Sequence, residues 1–430
     1  MDFPAPAMRA LALFDLSYSF AHVLRGGPRG VDRVQVAYSR HLLGRSNEVQ
    51  FVATTRFGGF GLIQRNLAIL LALGYEDIWS IRRWRRCRRV GLAFVLGLIH
   101  LDGLLLSRWR LRMMVNRQQV APIYLLAGFR NLENSDALKR IKSITGAKFV
   151  MFVHDLDPLL KPELFPPGHQ TLCARRMTNV ASFADAVIVP SGTVAKQLAL
   201  FHGQKHRTPP IFVNHLAGGL KPNDPLDHGQ LAKARYFVCI GTVEPRKNQE
   251  MLLDVWRTLA DRMGRHAPRL VLVGQRGWDE KYSNVIVSAV ATLGHNLVEW
   301  RSSTTDETLR RLLNGAQALL MPTLAEGFGI PLIEAIDCKV PAIVSDLEVL
   351  REIGGDIPEY LDATQPRDWE DAIVAYCQNP SPRRVARLSR LHETQPSNWS
   401  PHFKLLDRIL ADVTKTPDDP QSTAAGRHTE

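Results

Sequence analysis

The chain has 430 residues, of which 45% are hydrophobic and 22% charged, with 30 Gly and 26 Pro. At about 100–200 residues per domain this length implies two or three domains, and the composition excludes collagen-like, coiled-coil and wholly disordered chains. Fifty-four Lys and Arg against 42 Asp and Glu give a net charge of +12, a balance that favours polyanionic partners such as nucleic acid, anionic lipid or a phosphorylated substrate.

The N-terminus has no basic n-region, apolar h-region and small-residue cleavage site in sequence, so Arg9–Asp15 reads as a first buried strand. Strand-like runs at 10–15, 48–53, 122–126, 148–153, 185–189 and 210–213, with a helix over 31–43, predict a parallel, doubly wound sheet. Gly, Pro, Asp and His then dominate as far as about Ala234, which reads as a linker. A second α/β unit follows, with strands at 236–240, 270–273, 297–300, 318–321 and 341–344. In it, Thr304-Thr-Asp-Glu307 has the spacing of a capping box. The expected division is a first Rossmann-like domain at 1–217, a linker at 218–234, a second Rossmann-like domain at 235–398, a helix at 399–413 placed to return to the first domain, and a disordered tail at 414–430. Two such domains face each other across a cleft bounded by the carboxyl ends of their strands.

The first domain is interrupted at about 56–118 by a basic, helical insertion. Between residues 81 and 117, ten arginines (Arg82, Arg83, Arg85, Arg86, Arg88, Arg89, Arg108, Arg110, Arg112 and Arg117) face the single acid Asp102. The apolar run Val90–Ile99 is short of a membrane span, which needs about 20 apolar residues, and the segment carries His100 and Asp102. Arginine clusters and Trp84 and Trp109 beside apolar helix fit contact with an anionic lipid surface better than a helical insertion packed on its own domain. The arginines lack the interleaved aromatics of an RNA-binding sheet, so nucleic acid is not expected as a partner. The five cysteines (Cys87, Cys173, Cys239, Cys338 and Cys377) are scattered without framework spacing. They fit a reducing compartment, so a cytoplasmic protein on the inner face of the membrane is expected.

Four segments carry candidate chemistry. Gly241-Thr-Val-Glu-Pro-Arg-Lys-Asn248 follows a strand and opens a helix, so Arg246 and Lys247 form an anion site suited to a diphosphate. Thr323-Leu-Ala-Glu326-Gly-Phe-Gly-Ile-Pro-Leu-Ile-Glu334 places Glu326 on a loop and Glu334 about a turn into a helix, where the two carboxylates can grip opposite ends of an elongated ligand. Gly327 and Gly329 let backbone N–H groups approach it. Gly26–Arg33 is a glycine loop before a helix, able to approach phosphate from across the cleft, but it is neither a P-loop nor a dinucleotide fingerprint. His154 ends a strand at the edge where ligands bind. Asp155 and Asp157 spell a metal-binding pair, but arginine and lysine can replace a metal's charge, and no metal is expected. His202 and His206 lack the further ligands of a zinc site.

These residues resemble the family 4 glycosyltransferases, retaining enzymes of the GT-B fold. Glu326-x7-Glu334 with Gly327-Phe328-Gly329, and Glu244-Pro-Arg-Lys-Asn248, look like its two signatures. Gly274-Gln-Arg-Gly-Trp278 resembles a bacterial subgroup that builds polysaccharides. The likeness is dense over about 235–378, looser before it and absent over 56–118. It implies metal-independent transfer of a sugar, with retention, from a nucleotide-diphosphate donor. By that analogy Arg246 and Lys247 neutralise the diphosphate and Glu334 binds the ribose. Glu326 and the backbone at Phe328 and Gly329 hold sugar hydroxyls, Gly30 touches phosphate from the opposite domain, and His154 lies near sugar and acceptor. The subgroup implies mannose from GDP-mannose in cell-surface polysaccharide synthesis, and the basic insertion at 81–117 adds the expectation of a lipid-linked or polysaccharide acceptor. A nucleotide-sugar epimerase of the same fold and a non-enzymatic polyanion-binding protein are the alternatives.

Overall fold

The computed structural model describes residues 10–22, 30–45, 47–54, 59–66, 68, 107–203, 207–220 and 235–415. The arginines at 82–89, Trp84, Cys87, Val90–Ile99 and the tail from 416 therefore lie outside the described residues. The first sheet comprises β1 (Ala12–Asp15), β2 (Val49–Thr54), β3 (Phe60–Ile63), β4 (Ile123–Leu126), β5 (Lys148–Phe152), β6 (Ala186–Val189) and β7 (Ile211–Val213). Their order is β3-β2-β1-β4-β5-β6-β7. β1, β4 and β6 are buried along their whole length, because helices cover both faces of the sheet and such strands must be apolar on both sides.

The expectation of an entirely parallel sheet is corrected at one edge. Phe60–Ile63, read from the sequence as part of the insertion, pairs antiparallel with β2, Phe60 opposite Thr54. The connection is too short for a parallel crossover, which takes about a dozen residues or more.

The second sheet holds β8 (Tyr236–Ile240), β9 (Arg269–Val273), β10 (Val298–Arg301), β11 (Leu319–Met321), β12 (Ala342–Ser345) and β13 (Glu359–Leu361), all parallel, in the order β10-β9-β8-β11-β12-β13. The strand order reverses between β8 and β11, and between β1 and β4 in the first sheet, so each domain has its crevice at that switch point. The expected capping box is displaced by one residue. Thr305, not Thr304, caps the helix Asp306–Asn314, its side chain accepting from the Thr308 N–H at 3.1 Å. Gly218–Leu220 pack on the second domain, with Gly218 N–H donating to Ser397 Oγ at 2.9 Å and Leu220 in its core.

The chain then crosses back. The helix Ser400–Val413 inserts Leu406, Ile409 and Leu410 among Phe14, Tyr38 and Phe152 of the first domain. His402 Nε2 lies 2.8 Å from Tyr38 Oη, and Arg45 donates to Asp407 at 2.6 Å. Among the described residues no helix is long and apolar enough to cross a membrane. Leu410→Ala removes a fully buried side chain from this junction, and should cost about 2–5 kcal/mol, read as a lower urea midpoint for the transition that unfolds the first domain.

Candidate active site between the two domains

The loop after β8 and the loop after β11 lie side by side across the second switch point. They are tied through one carbonyl: Arg246 O accepts from Leu324 N–H at 2.7 Å and Thr323 Oγ1 at 3.0 Å. Arg246 and Lys247 occupy a short 3-10 turn, Pro245–Lys247, and Asn248 at φ 56° reverses the chain into the helix Gln249–Met263. The cations thus sit just before the helix rather than within its first turn. The loop after β9 braces this turn. A Cβ at Gly274 would collide with the Gly241 carbonyl, and one at Gly277 with the Val243 carbonyl.

Glu326 is the centre of the charge cluster. Lys247 Nζ donates to its carboxylate, and Arg246 lies 3.6 Å from the same oxygen while also pairing with Glu244 at 2.6 Å. Lys247 is only 8% exposed, so these are not solvated surface charges. Burial opposes ionisation of Glu326, but Lys247 and Arg246 outweigh it and hold the carboxyl below its usual range. Burial likewise works against the Arg246 charge, and Glu244, Glu326, Asp155 and Asp157 hold it on.

The first domain closes over this cluster. Gly327 packs so tightly that a Cβ would occupy the space of the His154 carbonyl oxygen. Lys161 Nζ donates to Leu324 O at 2.5 Å and Ser191 Oγ to Gly327 O at 3.1 Å. His154 is buried between Phe129 and Phe152, and burial pulls its ring down to about 4. Its Nε2 lies 2.9 Å from the Ala127 carbonyl and donates there, which leaves Nδ1 unprotonated as an acceptor. Beside it, burial raises the carboxyls of Asp155 and Asp157, each raised further by Glu326 and opposed by Arg246; Asp157 reaches about 7. Phe328 turns its ring into the first domain's core, and Gly329, at φ 101°, starts the helix Ile330–Asp337.

Glu334 lies on that helix, 1% exposed. It is held by Arg33 of the first domain and by Gly219 N–H at 3.4 Å. Burial pushes its carboxyl up, with Arg33 opposing. Gly30, at φ 40°, caps the helix Val31–Leu43 that carries Arg33. The structure therefore gathers Arg246, Lys247, Glu326, Gly327 and His154 at one place and Glu334 with the Gly30 loop at another. The sequence alone assigns no role to Arg33, Lys161 and Ser191, and to Asp157 only a place in a metal-binding pair that is not expected to bind metal. Arg33 was visible in the Gly30–Arg33 loop, and Asp157 in the paired aspartates. Among the described residues no group of three or more His, Cys, Asp and Glu could hold a metal ion.

Residues 222–387 match the family described as "Glycosyl transferases group 1". The match takes in all six strands of the second sheet. The serotype-specific mannosyltransferase WbdA of Escherichia coli is 30% identical over 266 residues, 55% of this chain and 31% of the relative. The O-antigen chain mannosyltransferase B of the same species is 33% identical over 170 residues, 40% of this chain and 44% of the relative. The chain thus spans less than half the length of these curated relatives. Among solved structures, Anabaena Alr3699/HepE in complex with UDP and glucose superposes with a TM-score of 0.62 at 14% identity, over 93% of this chain and 99% of that one. Sucrose-phosphate synthase of Thermosynechococcus elongatus does so with 0.59 at 14%, over 94% and 99%. The fold of the chain is that of these structures, GT-B, with two Rossmann-like units facing a cleft.

The raised Asp157 carboxyl has a defined effect on the stability of this site. From the ordinary 3.8 to about 7, the folded chain binds a proton that the unfolded chain has lost. Its contribution is therefore present below about pH 4 and lost as pH rises toward 7. Asp157→Asn should flatten that part of the stability–pH profile relative to wild type, measured by urea unfolding at a series of pH values.

Proposed function

We propose that this chain transfers a hexose, with retained anomeric configuration and without a metal, from a nucleoside-diphosphate sugar to a lipid-linked or polysaccharide acceptor in cell-surface polysaccharide synthesis. Mannose from GDP-mannose is the first candidate donor, in keeping with the mannosyltransferase names of the relatives. One observation carries the reading: Arg246 and Lys247, largely buried, converge on Glu326, whose neighbour Gly327 packs against the His154 carbonyl and Asp155 of the first domain. Buried cations beside a carboxylate suit a ligand with a phosphate end and a hydroxyl end.

The chemistry follows from charge. Breaking the bond from sugar to diphosphate builds negative charge on the leaving group, and fixed cations stabilise that charge more in the transition state than in the ground state. Arg246 and Lys247 would meet the diphosphate, taking the part a metal plays elsewhere. Glu326 and the backbone at Phe328 and Gly329 would hold sugar hydroxyls. His154 Nδ1 would accept from the sugar or acceptor, its imidazole kept neutral by burial. Glu334 would bind the ribose and Gly30 would approach phosphate from the first domain.

Thermal unfolding with GDP, UDP, ADP or dTDP, each with and without magnesium, tests the donor, since a ligand of the folded state raises its stability with affinity. Stabilisation by one diphosphate without magnesium is expected. Lys247→Ala should lose about 1.5–3 kcal/mol of donor binding or activation, and an enzyme unchanged by it would refute the assignment.

We also propose peripheral attachment to the inner face of the membrane through 81–117. Its described end, the helix Ser107–Val115, exposes Trp109 (64%) and Met113 among Arg108, Arg110 and Arg112. Vesicles containing phosphatidylglycerol should sediment the protein at low salt and release it at high salt. Equal binding to neutral and anionic vesicles, or to neither, removes the proposal.

A further inference from the structure

Arg33 spans the cleft at the end where Glu334 lies. It sits in the first turn of the helix Val31–Leu43, its N–H 3.1 Å from the Gly30 carbonyl. One arm of its guanidinium donates to Glu334 and the other to Asp306 of the second domain at 2.6 Å. The Glu334 side chain is 2% exposed and that of Arg33 17%. A buried carboxylate facing a guanidinium is strongly favoured over the same carboxylate left without one. The pair therefore holds the two domains together while occupying Oε1, one of the two carboxylate oxygens that a ribose would use.

We infer that Arg33 is a displaceable latch that makes the site select nucleoside diphosphates over nucleosides: without ligand its guanidinium satisfies Glu334, and on donor binding the ribose hydroxyls take Glu334 while the guanidinium turns to the diphosphate. This rests on the reading of Glu334 as the ribose ligand. The selection follows from the exchange of partners. Two neutral hydroxyls replace a cation at Glu334, and the loss is offset only if the cation finds another anion. A nucleoside brings none. A nucleoside diphosphate brings one, and Arg33, in the first turn of the helix that Gly30 caps, has a long flexible side chain with which to follow it.

Binding of guanosine, uridine, GDP and UDP to wild type, Arg33→Ala, Arg33→Lys and Lys247→Ala, followed by calorimetry, tests this. Arg33→Ala is expected to bind the nucleoside several-fold more tightly than wild type and the matching diphosphate about tenfold more weakly, one charge-assisted contact being lost. Arg33→Lys should shift both in the same directions by less, and it decides the matter alone if Arg33→Ala does not fold. Equal weakening of nucleoside and diphosphate would make Arg33 a structural strut and overturn the latch, as would no change in either. Wild type that binds neither GDP nor UDP, or a Lys247→Ala variant that binds diphosphate unchanged, would overturn the donor reading itself and the latch with it.

Discussion

A side chain of any size at Gly327 would occupy the space of the His154 carbonyl oxygen. This close approach is what makes two separate α/β units into one site. It brings the carboxyl edge of β5 against the loop after β11, so that Asp155, Asp157 and His154 of one domain lie over Glu326, Arg246 and Lys247 of the other. Lys161 and Ser191 reach across to backbone carbonyls of the same loop. The loop is thus gripped from the first domain through its backbone carbonyls, while its one carboxylate, Glu326, pairs with Lys247 and Arg246 of its own domain.

The electrostatics of the cluster depend on that contact. Closing the cleft removes water from several carboxyl groups at once. They respond unequally because only Glu326 has both cations against it. Asp155 and Asp157 are pushed toward the neutral form by burial, against which Arg246 acts on both, Arg176 on Asp155 and Lys247 on Asp157. Carboxyl groups of similar intrinsic acidity come to differ in protonation through environment, a pattern that functional sites share. A second clamp lies apart from this chemistry: Glu352 accepts from the N–H groups of Gly192 and Thr193 at the start of a first-domain helix, and from His215 at 2.9 Å.

Much of this architecture was legible in the sequence, and for identifiable reasons. Tyr236–Ile240 and Phe149–Phe152 are continuous apolar runs because both faces of each sheet are covered, and such runs stand out against amphipathic helices. The short edge strands Phe60–Ile63 and Glu359–Leu361 did not stand out, because three or four residues carry no periodicity. Arg246, Lys247 and Glu326 were legible because glycine and proline fix their loops at strand ends, where ligands bind. The pairing of Arg33 with Glu334 joins residues 301 positions apart, and nothing local to either announces it. The same holds for Glu352, whose role exists only once a helix from the other domain is set against it.

The helix Ser400–Val413 fills the first domain's core after the chain has already built the second. During synthesis, then, the earlier domain waits. Until Leu410 leaves the ribosome, the faces of Phe14, Tyr38 and Phe152 that it will cover stay exposed, while the second domain between them can already bury its own core. The order of completion is the reverse of the order of synthesis, and the half that emerges first depends longest on protection from other chains.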